Sequence, residues 1–301
     1  MLSLKIKDVI FKSPLIAASG TFGYGDEVQN IVDFNKIGCI ITKSITVERR
    51  EGNAHPRIIE STSGMLNSIG LANVGVADFC KNKISKLNQL KTHFIVSIAG
   101  TTFDDYINVL EKVENSQGNH IGYEVNVSCP NVKAGGMEFG INKDMVFKLT
   151  SKLRKMTSRI LIIKLSPNVT DIEDIALSAE SAGADAISAV NTFLGTAINY
   201  KTGEFILKTK FGGLSGPAIK PLALAKVYKI YNNVSIPILG MGGITNFTDI
   251  IEFLRVGSTM VQVGTLNYRD PSHICKFYDQ IKIYMTDNKI KNIIDLVGDC
   301  K

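Results

Sequence analysis

The stretch Pro237-Ile-Leu-Gly240-Met-Gly-Gly-Ile-Thr245-Asn-Phe-Thr-Asp-Ile250-Ile-Glu-Phe-Leu-Arg255-Val-Gly-Ser-Thr-Met260-Val-Gln-Val-Gly-Thr265 reads as one complete strand–loop–helix–strand unit. Pro237–Gly240 is short and apolar, and it runs into the glycine turn Gly240-Met-Gly-Gly-Ile244. Phe247–Val256 carries helical periodicity, Gly257 sits where a C-cap glycine is expected, and Met260–Val263 is a second strand ending in Gly264-Thr265. Glycine lets backbone N–H groups approach an anion with no side chain in the way. Either turn alone would be an ordinary tight turn. Two at adjacent strand ends point to phosphate, which barrel enzymes often bind after their last two strands.

The same alternation runs outward through the chain. Strands are predicted at Pro14–Ala18, Cys39–Lys43, Phe94–Ile98, Tyr123–Val127, Leu161–Leu165, Ala186–Val190, Pro237–Gly240 and Met260–Val263. Amphipathic stretches between them include Phe103–Asn115, Lys143–Met156, Ile172–Ala182, Ala218–Tyr231 and Phe247–Val256. Thr170 and Glu173 are spaced for a capping box, and Gly183 is placed as a second C-cap glycine. Leu2, Leu4 and Ile6 alternate with polar residues, and Lys7-Asp8 suits a turn into a second short strand. Eight strands with crossover helices suit either a closed barrel or a doubly wound sheet. The count and the clustering of polar residues after the strands favour a (β/α)8 TIM barrel, one domain over residues 1–301, with an N-terminal hairpin. Three connections, Ser44 to Val74, Ser128 to Ile141 and Thr192 to Ser215, are long enough to be structureless lids over the mouth, the last with a hairpin turned at Lys201–Gly203.

Composition excludes several classes. The chain has 34 basic and 28 acidic residues, a net charge of +6, with the lysines scattered. That argues against nucleic-acid binding. No apolar run approaches a membrane span and the N-terminus lacks signal-peptide architecture, so a cytoplasmic protein with no membrane contact is expected. Five cysteines, widely spaced and without a C-x-x-C pair, argue against disulfides, structural zinc or an iron–sulfur cluster in this subunit. Cys39 lies in an apolar run and reads as core; Cys80, Cys275 and Cys300 read as unreactive.

The polar residues that follow the strands are Ser19, Lys43-Ser44, Asn126 with Cys129, Lys164, Asn191-Thr192, Gly242-Gly243 and Gly264-Thr265. In a barrel they converge on one mouth. One lysine at a strand end is often just a solvated terminus; Lys43 and Lys164 together beside a phosphate site suggest fixed positive charge for an anionic substrate or an electron-rich cofactor. A Schiff-base role for Lys164 also stands open. In Glu124-Val-Asn-Val-Ser-Cys-Pro-Asn-Val-Lys-Ala-Gly-Gly136, Asn126 and Asn131 supply amides able to read a planar heterocycle, and Cys129 is either structural or a base or nucleophile. Asn67 in Met65–Asn73 and Asn191 add further amides. His55, His93, His120 and His273 lack partners in sequence, so a Cys–His hydrolase is poorly supported.

With these residues assembled, the chain resembles a class 1 dihydroorotate dehydrogenase. The most specific motifs are Asn126-Val-Ser-Cys-Pro-Asn131, Phe211-Gly-Gly-Leu-Ser-Gly-Pro-Ala-Ile-Lys-Pro221 and Gly240-Met-Gly-Gly-Ile244. Asn131–Gly140 and Thr46–Asn53 resemble the 1B branch, which is NAD-linked and pairs with a subunit carrying FAD and a 2Fe–2S cluster. The resemblance implies FMN, oxidation of dihydroorotate to orotate in pyrimidine synthesis, a homodimer and a heterotetramer with that subunit. It implies Cys129 as the base that takes the C5 proton while flavin N5 accepts hydride from C6. Lys43, Asn67, Ser68, Ile69, Gly70, Leu71, Asn126, Asn131, Asn191 and Thr192 would then bind substrate. Lys164 would sit near flavin N1 and O2, with Ser19, Lys43, Ser44, Ser97, Asn126, Val190 and Gly216 around the ring and ribityl chain. Gly242, Gly243, Gly264 and Thr265 would hold the phosphate. No metal site is implied. The chain departs from the family at Ser97, where asparagine is usual; a serine offers the flavin no amide there, so altered affinity or redox tuning is expected, with the reaction unchanged.

The rivals are a dihydropyrimidine dehydrogenase-like flavoenzyme, a fumarate-linked class 1A enzyme, a cofactor-free lyase or aldolase using Lys164, and a non-catalytic binding module. Lys43 weighs against the first, since uracil has no carboxylate to reward it.

Overall fold

A computed structural model describes residues 1–127 and 139–301. Among the described residues there are fourteen strands: β1 (Leu4–Ile6), β2 (Val9–Phe11), β3 (Leu15–Ala17), β4 (Cys39–Ile41), β5 (Ile58–Ser61), β6 (Gly64–Asn67), β7 (His93–Ile98), β8 (Gly122–Asn126), β9 (Ile160–Lys164), β10 (Ala186–Ala189), β11 (Phe193–Thr196), β12 (Phe211–Ser215), β13 (Ile238–Met241) and β14 (Met260–Val263). Eight of them close a barrel in the order β3-β4-β7-β8-β9-β10-β13-β14, and β14 pairs back onto β3. Each pairing within the barrel is parallel, as crossover helices require. All eight barrel strands fall within a residue or two of their predicted positions.

Alternation decides which side chains face inward. On β8, Tyr123 and Val125 pack outward, while Glu124 and Asn126 share the opposite face. Register then places Asn126 beside Lys164, Lys164 beside Ser188, and Met241 beside Gln262. The outer layer is built by helices Phe103–Glu114, Lys143–Arg154, Ile172–Ser181, Lys220–Tyr231, Phe247–Arg255 and His273–Asp287. The helix Phe103–Glu114 shows the rule: Tyr106, Val109, Leu110 and Val113 are buried at helical spacing, and Thr102 with Asp105 forms a reciprocal capping box.

The capping box expected from Thr170 and Glu173 does not form. Helix Ile172–Ser181 takes Asp171 as its N-cap, so Glu173 stands at the second helical position, too early to reach back, and instead faces Lys229 at 3.6 Å. Gly183 and Gly257 do terminate their helices, with φ of 96° and 112°. The β1–β2 hairpin forms as expected, turning at Lys7 with φ 53°. Lys7 Nζ donates to the Ser158 carbonyl at 2.7 Å, which sets the hairpin across the N-terminal end of the barrel.

Two of the long connections are not structureless. The segment after β4 contributes β5 and β6, the segment after β10 contributes β11 and β12, and together they form an antiparallel sheet in the order β11-β12-β6-β5. It rises over the C-terminal ends of the barrel strands. Glycines interrupt three of its four strands, β6, β11 and β12: a Cβ on Gly213 would fall 2.0 Å from Thr192 Oγ1, and one on Gly212 2.8 Å from the Asn67 carbonyl. The Lys201–Gly203 turn is present, closed by Gly203 N–H donating to the Asn199 carbonyl at 2.8 Å. Among the described residues no helix is long and apolar enough to cross a membrane.

Candidate active site at the barrel mouth

A cavity of about 830 Å³ opens where the barrel strands end beneath the four-stranded sheet. Most of the predicted residues line it: Ser19, Lys43, Ser44, Asn126 and Lys164 from the barrel, Asn67, Ser68, Ile69, Gly70 and Leu71 beyond β6, and Val190, Asn191 and Thr192 beyond β10. Gly216, Gly242, Gly243, Gly264 and Thr265 line its other end. Cys129 and Asn131 lie outside the described residues, as does most of the connection that carries them.

Each polar group is held by its own element. Lys43 follows β4; its N–H donates to the Gly23 carbonyl at 2.9 Å, and its stem lies so close to Gly20 that a Cβ there would fall 2.9 Å from Lys43 Cδ. Gly20, with φ 74°, is therefore what gives that stem its channel. Asn126 ends β8, its carbonyl accepting from Tyr106 Oη at 2.9 Å and its Oδ1 from Asn191 Nδ2 at 3.4 Å. Asn191 Oδ1 accepts the Thr192 N–H at 2.8 Å, which turns the chain toward β11. Asn168 pins the same turn, donating to the Thr192 carbonyl at 3.0 Å and accepting from Leu194 N–H at 2.9 Å. Sequence reasoning missed Asn168, which lies in an ordinary-looking loop.

Ser97 does not line the cavity. It is fully buried one layer down, with its Oγ 2.8 Å from Ser44 Oγ, which in turn lies 3.4 Å from Ser19 Oγ. The serine side chain ends at Ser44, and its hydroxyl supports Ser44 from below.

The glycine turns serve two different ends. Gly242 (φ 130°) and Gly243 (φ 78°) are needed for backbone shape and for packing on the helix Lys220–Tyr231: a Cβ would fall 2.7 Å from Ala223 Cβ and 2.8 Å from the Lys220 nitrogen, respectively. At Gly264 a Cβ would meet only Ala18 Cβ at 3.7 Å, so there the missing side chain leaves room at the cavity wall. Thr265 Oγ1 and Ser215 Oγ stand 2.8 Å apart beside it. Room beside exposed backbone, flanked by two hydroxyls, fits an anionic group such as phosphate. Beside Asn67 on the cavity wall, Ser68 is buried and its hydroxyl has no partner among the described residues.

At the floor of the mouth sits a polar cluster that composition and spacing did not reveal: Glu124 and Ser188 below the cavity and Gln262 on its lining, all buried, with Glu124 bonded to Lys164. Glu124 lies in a quoted motif, and its period-two relation to Asn126 was the available signal. Cys39 is fully buried in the same interior; burial pushes its thiol well up, and the Glu124 carboxylate adds to this, so it is no nucleophile. Among the described residues no group of His, Cys, Asp and Glu could hold a metal ion.

A parallel β/α barrel with two lysines, several amides and a glycine-flanked wall at one mouth has the layout of a barrel enzyme's active site. A profile of the dihydroorotate dehydrogenase family matches residues 1–285. Proteins named dihydroorotate dehydrogenase B (NAD(+)), catalytic subunit, are similar over nearly the whole chain. That of Caldicellulosiruptor saccharolyticus is 44% identical over 297 residues, 99% of this chain and 98% of the relative. That of Thermoanaerobacter sp. strain X514 is 43% identical over 300 residues, 100% and 99%. That of Bacteroides fragilis strain YCH46 is 42% identical over 297 residues, 99% and 98%. The chain belongs to the dihydroorotate dehydrogenase family.

Proposed function

We propose that this chain is the FMN-binding catalytic subunit of an NAD-linked dihydroorotate dehydrogenase, oxidising dihydroorotate to orotate in pyrimidine synthesis. The observation that carries the reading is the convergence of Lys43, Asn67, Asn126 and Asn191 on one cavity with Lys164 and the Gly264–Thr265 cradle. When bound, FMN supplies the acceptor for the hydride that leaves C6. Lys43 pairs with the substrate carboxylate, and the amides of Asn67, Asn126 and Asn191 read the pyrimidine edge, since an amide can meet both its N–H and C=O groups. Lys164 stabilises negative charge at the pyrimidine end of the cofactor ring. Gly264, Thr265 and the backbone of Gly242 and Gly243 hold the phosphate.

The proton at C5 goes to Cys129, the one residue the family resemblance offers as base. The name shared by the relatives, catalytic subunit, supports a second polypeptide. We assign that partner FAD and a 2Fe–2S cluster on the resemblance of Thr46–Asn53 and Asn131–Gly140 to the 1B branch. Exposed Leu194, Ile198, Tyr200 and Phe211 on and beside the four-stranded sheet support a homodimer within the heterotetramer. We place the enzyme in the cytoplasm.

Replacing Cys129 with serine tests the mechanism. Stopped-flow reduction of the bound flavin by dihydroorotate is expected to slow at least a hundredfold at neutral pH, about the lower bound for losing a general base, while orotate still binds. Near-normal reduction would place the base elsewhere.

A further inference from the structure

The interior under the mouth holds a buried charge network, in which Gln262 Oε1 alone has no hydrogen-bond partner among the described residues. Lys164 Nζ donates to Glu124 Oε1 at 3.3 Å. Glu124 Oε2 accepts from Ser188 Oγ at 2.8 Å and from Gln262 Nε2 at 3.0 Å. The second hydrogen of Gln262 Nε2 goes to Ser188 Oγ at 2.7 Å. Four strands, β8, β9, β10 and β14, each contribute one of these residues. The side chains of Glu124 and Lys164 are 0% and 8% exposed.

Ionised groups at such depth cost several kcal/mol of desolvation each, and well-packed apolar residues often do as well or better for stability. The pair is therefore poorly explained by stability alone. Lys164 lines the cavity, while Glu124 and Ser188 lie below it. Among the described residues, Glu124 is the only hydrogen-bond acceptor that Lys164 engages.

We propose that Glu124 is the positioning residue for Lys164: it fixes the ammonium at the mouth and, through it, sets how readily the bound cofactor accepts electrons. Ser188 and Gln262 fix the carboxylate in turn, Ser188 from below the cavity and Gln262 from its lining. The inference rests on the reading of the cavity as an FMN site.

The test is a double-mutant cycle on the purified full chain, read by the midpoint potential of bound FMN against a reference dye. With Lys164 present, Glu124→Gln removes the carboxylate that fixes the ammonium, so Lys164 no longer holds its charge at one place in the mouth. The two-electron reduction equilibrium is expected to fall about tenfold, about 30 mV for a two-electron couple. In a Lys164→Met background the same change is expected to lower it not at all. Ser188→Ala, a smaller disturbance should Glu124→Gln not fold, is expected to act in the same direction, about threefold and only when Lys164 is present. Equal shifts in both backgrounds, or no shift in either, would overturn the proposal. Wild-type protein that binds no flavin would instead remove the cofactor reading itself.

Discussion

Lys43 and Lys164 come from equivalent strand ends, yet their surroundings divide the work. Lys164 is tied downward to a carboxylate, whereas Lys43 lies along Gly20 on the wall that leads to the amides. Lys43→Ala is expected to weaken orotate binding about ten- to a hundredfold, the worth of one charge-assisted contact, and to change FMN affinity by less than about threefold on the same scale. Titrations of flavin absorbance with orotate, and of apoprotein fluorescence with FMN, measure the two. The opposite order would exchange the roles of the two lysines. At this scale the sequence was readable wherever a polar residue ended an apolar strand, because strand ends converge in any barrel. It was less readable one layer down. Glu124, Ser188 and Gln262 sit inside otherwise apolar strands, and only closure of the barrel brings β8, β10 and β14 within hydrogen-bonding reach. Ser97 shows the same limit: its strand was clear, but whether its side chain met the cavity or Ser44 depended on depth.

Among the elements, β8 carries chemistry at both ends. At its top stands Asn126; near its base, Tyr123 Oη bonds to Nε2 of the fully buried His120 at 2.8 Å, and Arg159 donates to the His120 carbonyl. Burial first, and the nearby Arg159 charge second, lower the His120 pKa from 6.5 to about 4. Between those values the unfolded chain binds a proton that the folded chain refuses, so stability is full above pH 6.5 and falls as pH drops toward 4. The loss is on the order of 2–3 kcal/mol. Urea unfolding at pH 7 and at pH 4.5 is expected to show this difference in wild-type protein and much less of it in His120→Gln. An equal loss in the variant would assign the acid sensitivity to other groups. The barrel strands were legible because each is a continuous apolar run buried on both faces. The β5–β6 and β11–β12 strands were not, because their glycines and exposed faces erase the period-two signal while serving close backbone approach.

For the whole molecule, the barrel brings residues from most of its strands to one end, and the four-stranded sheet walls that end into a cavity. Neither feature alone specifies a reaction; fold and function separate freely among barrels. The proposed specificity rests on the set of groups that the architecture assembles and on full-length similarity to proteins named dihydroorotate dehydrogenase B (NAD(+)), catalytic subunit. Protein purified with its flavin and mixed anaerobically with dihydroorotate tests the central claim most directly. The flavin absorbance band is expected to bleach in proportion to substrate, with one orotate formed per flavin reduced. A spectrum unchanged by dihydroorotate at saturating concentration would contradict the proposed function.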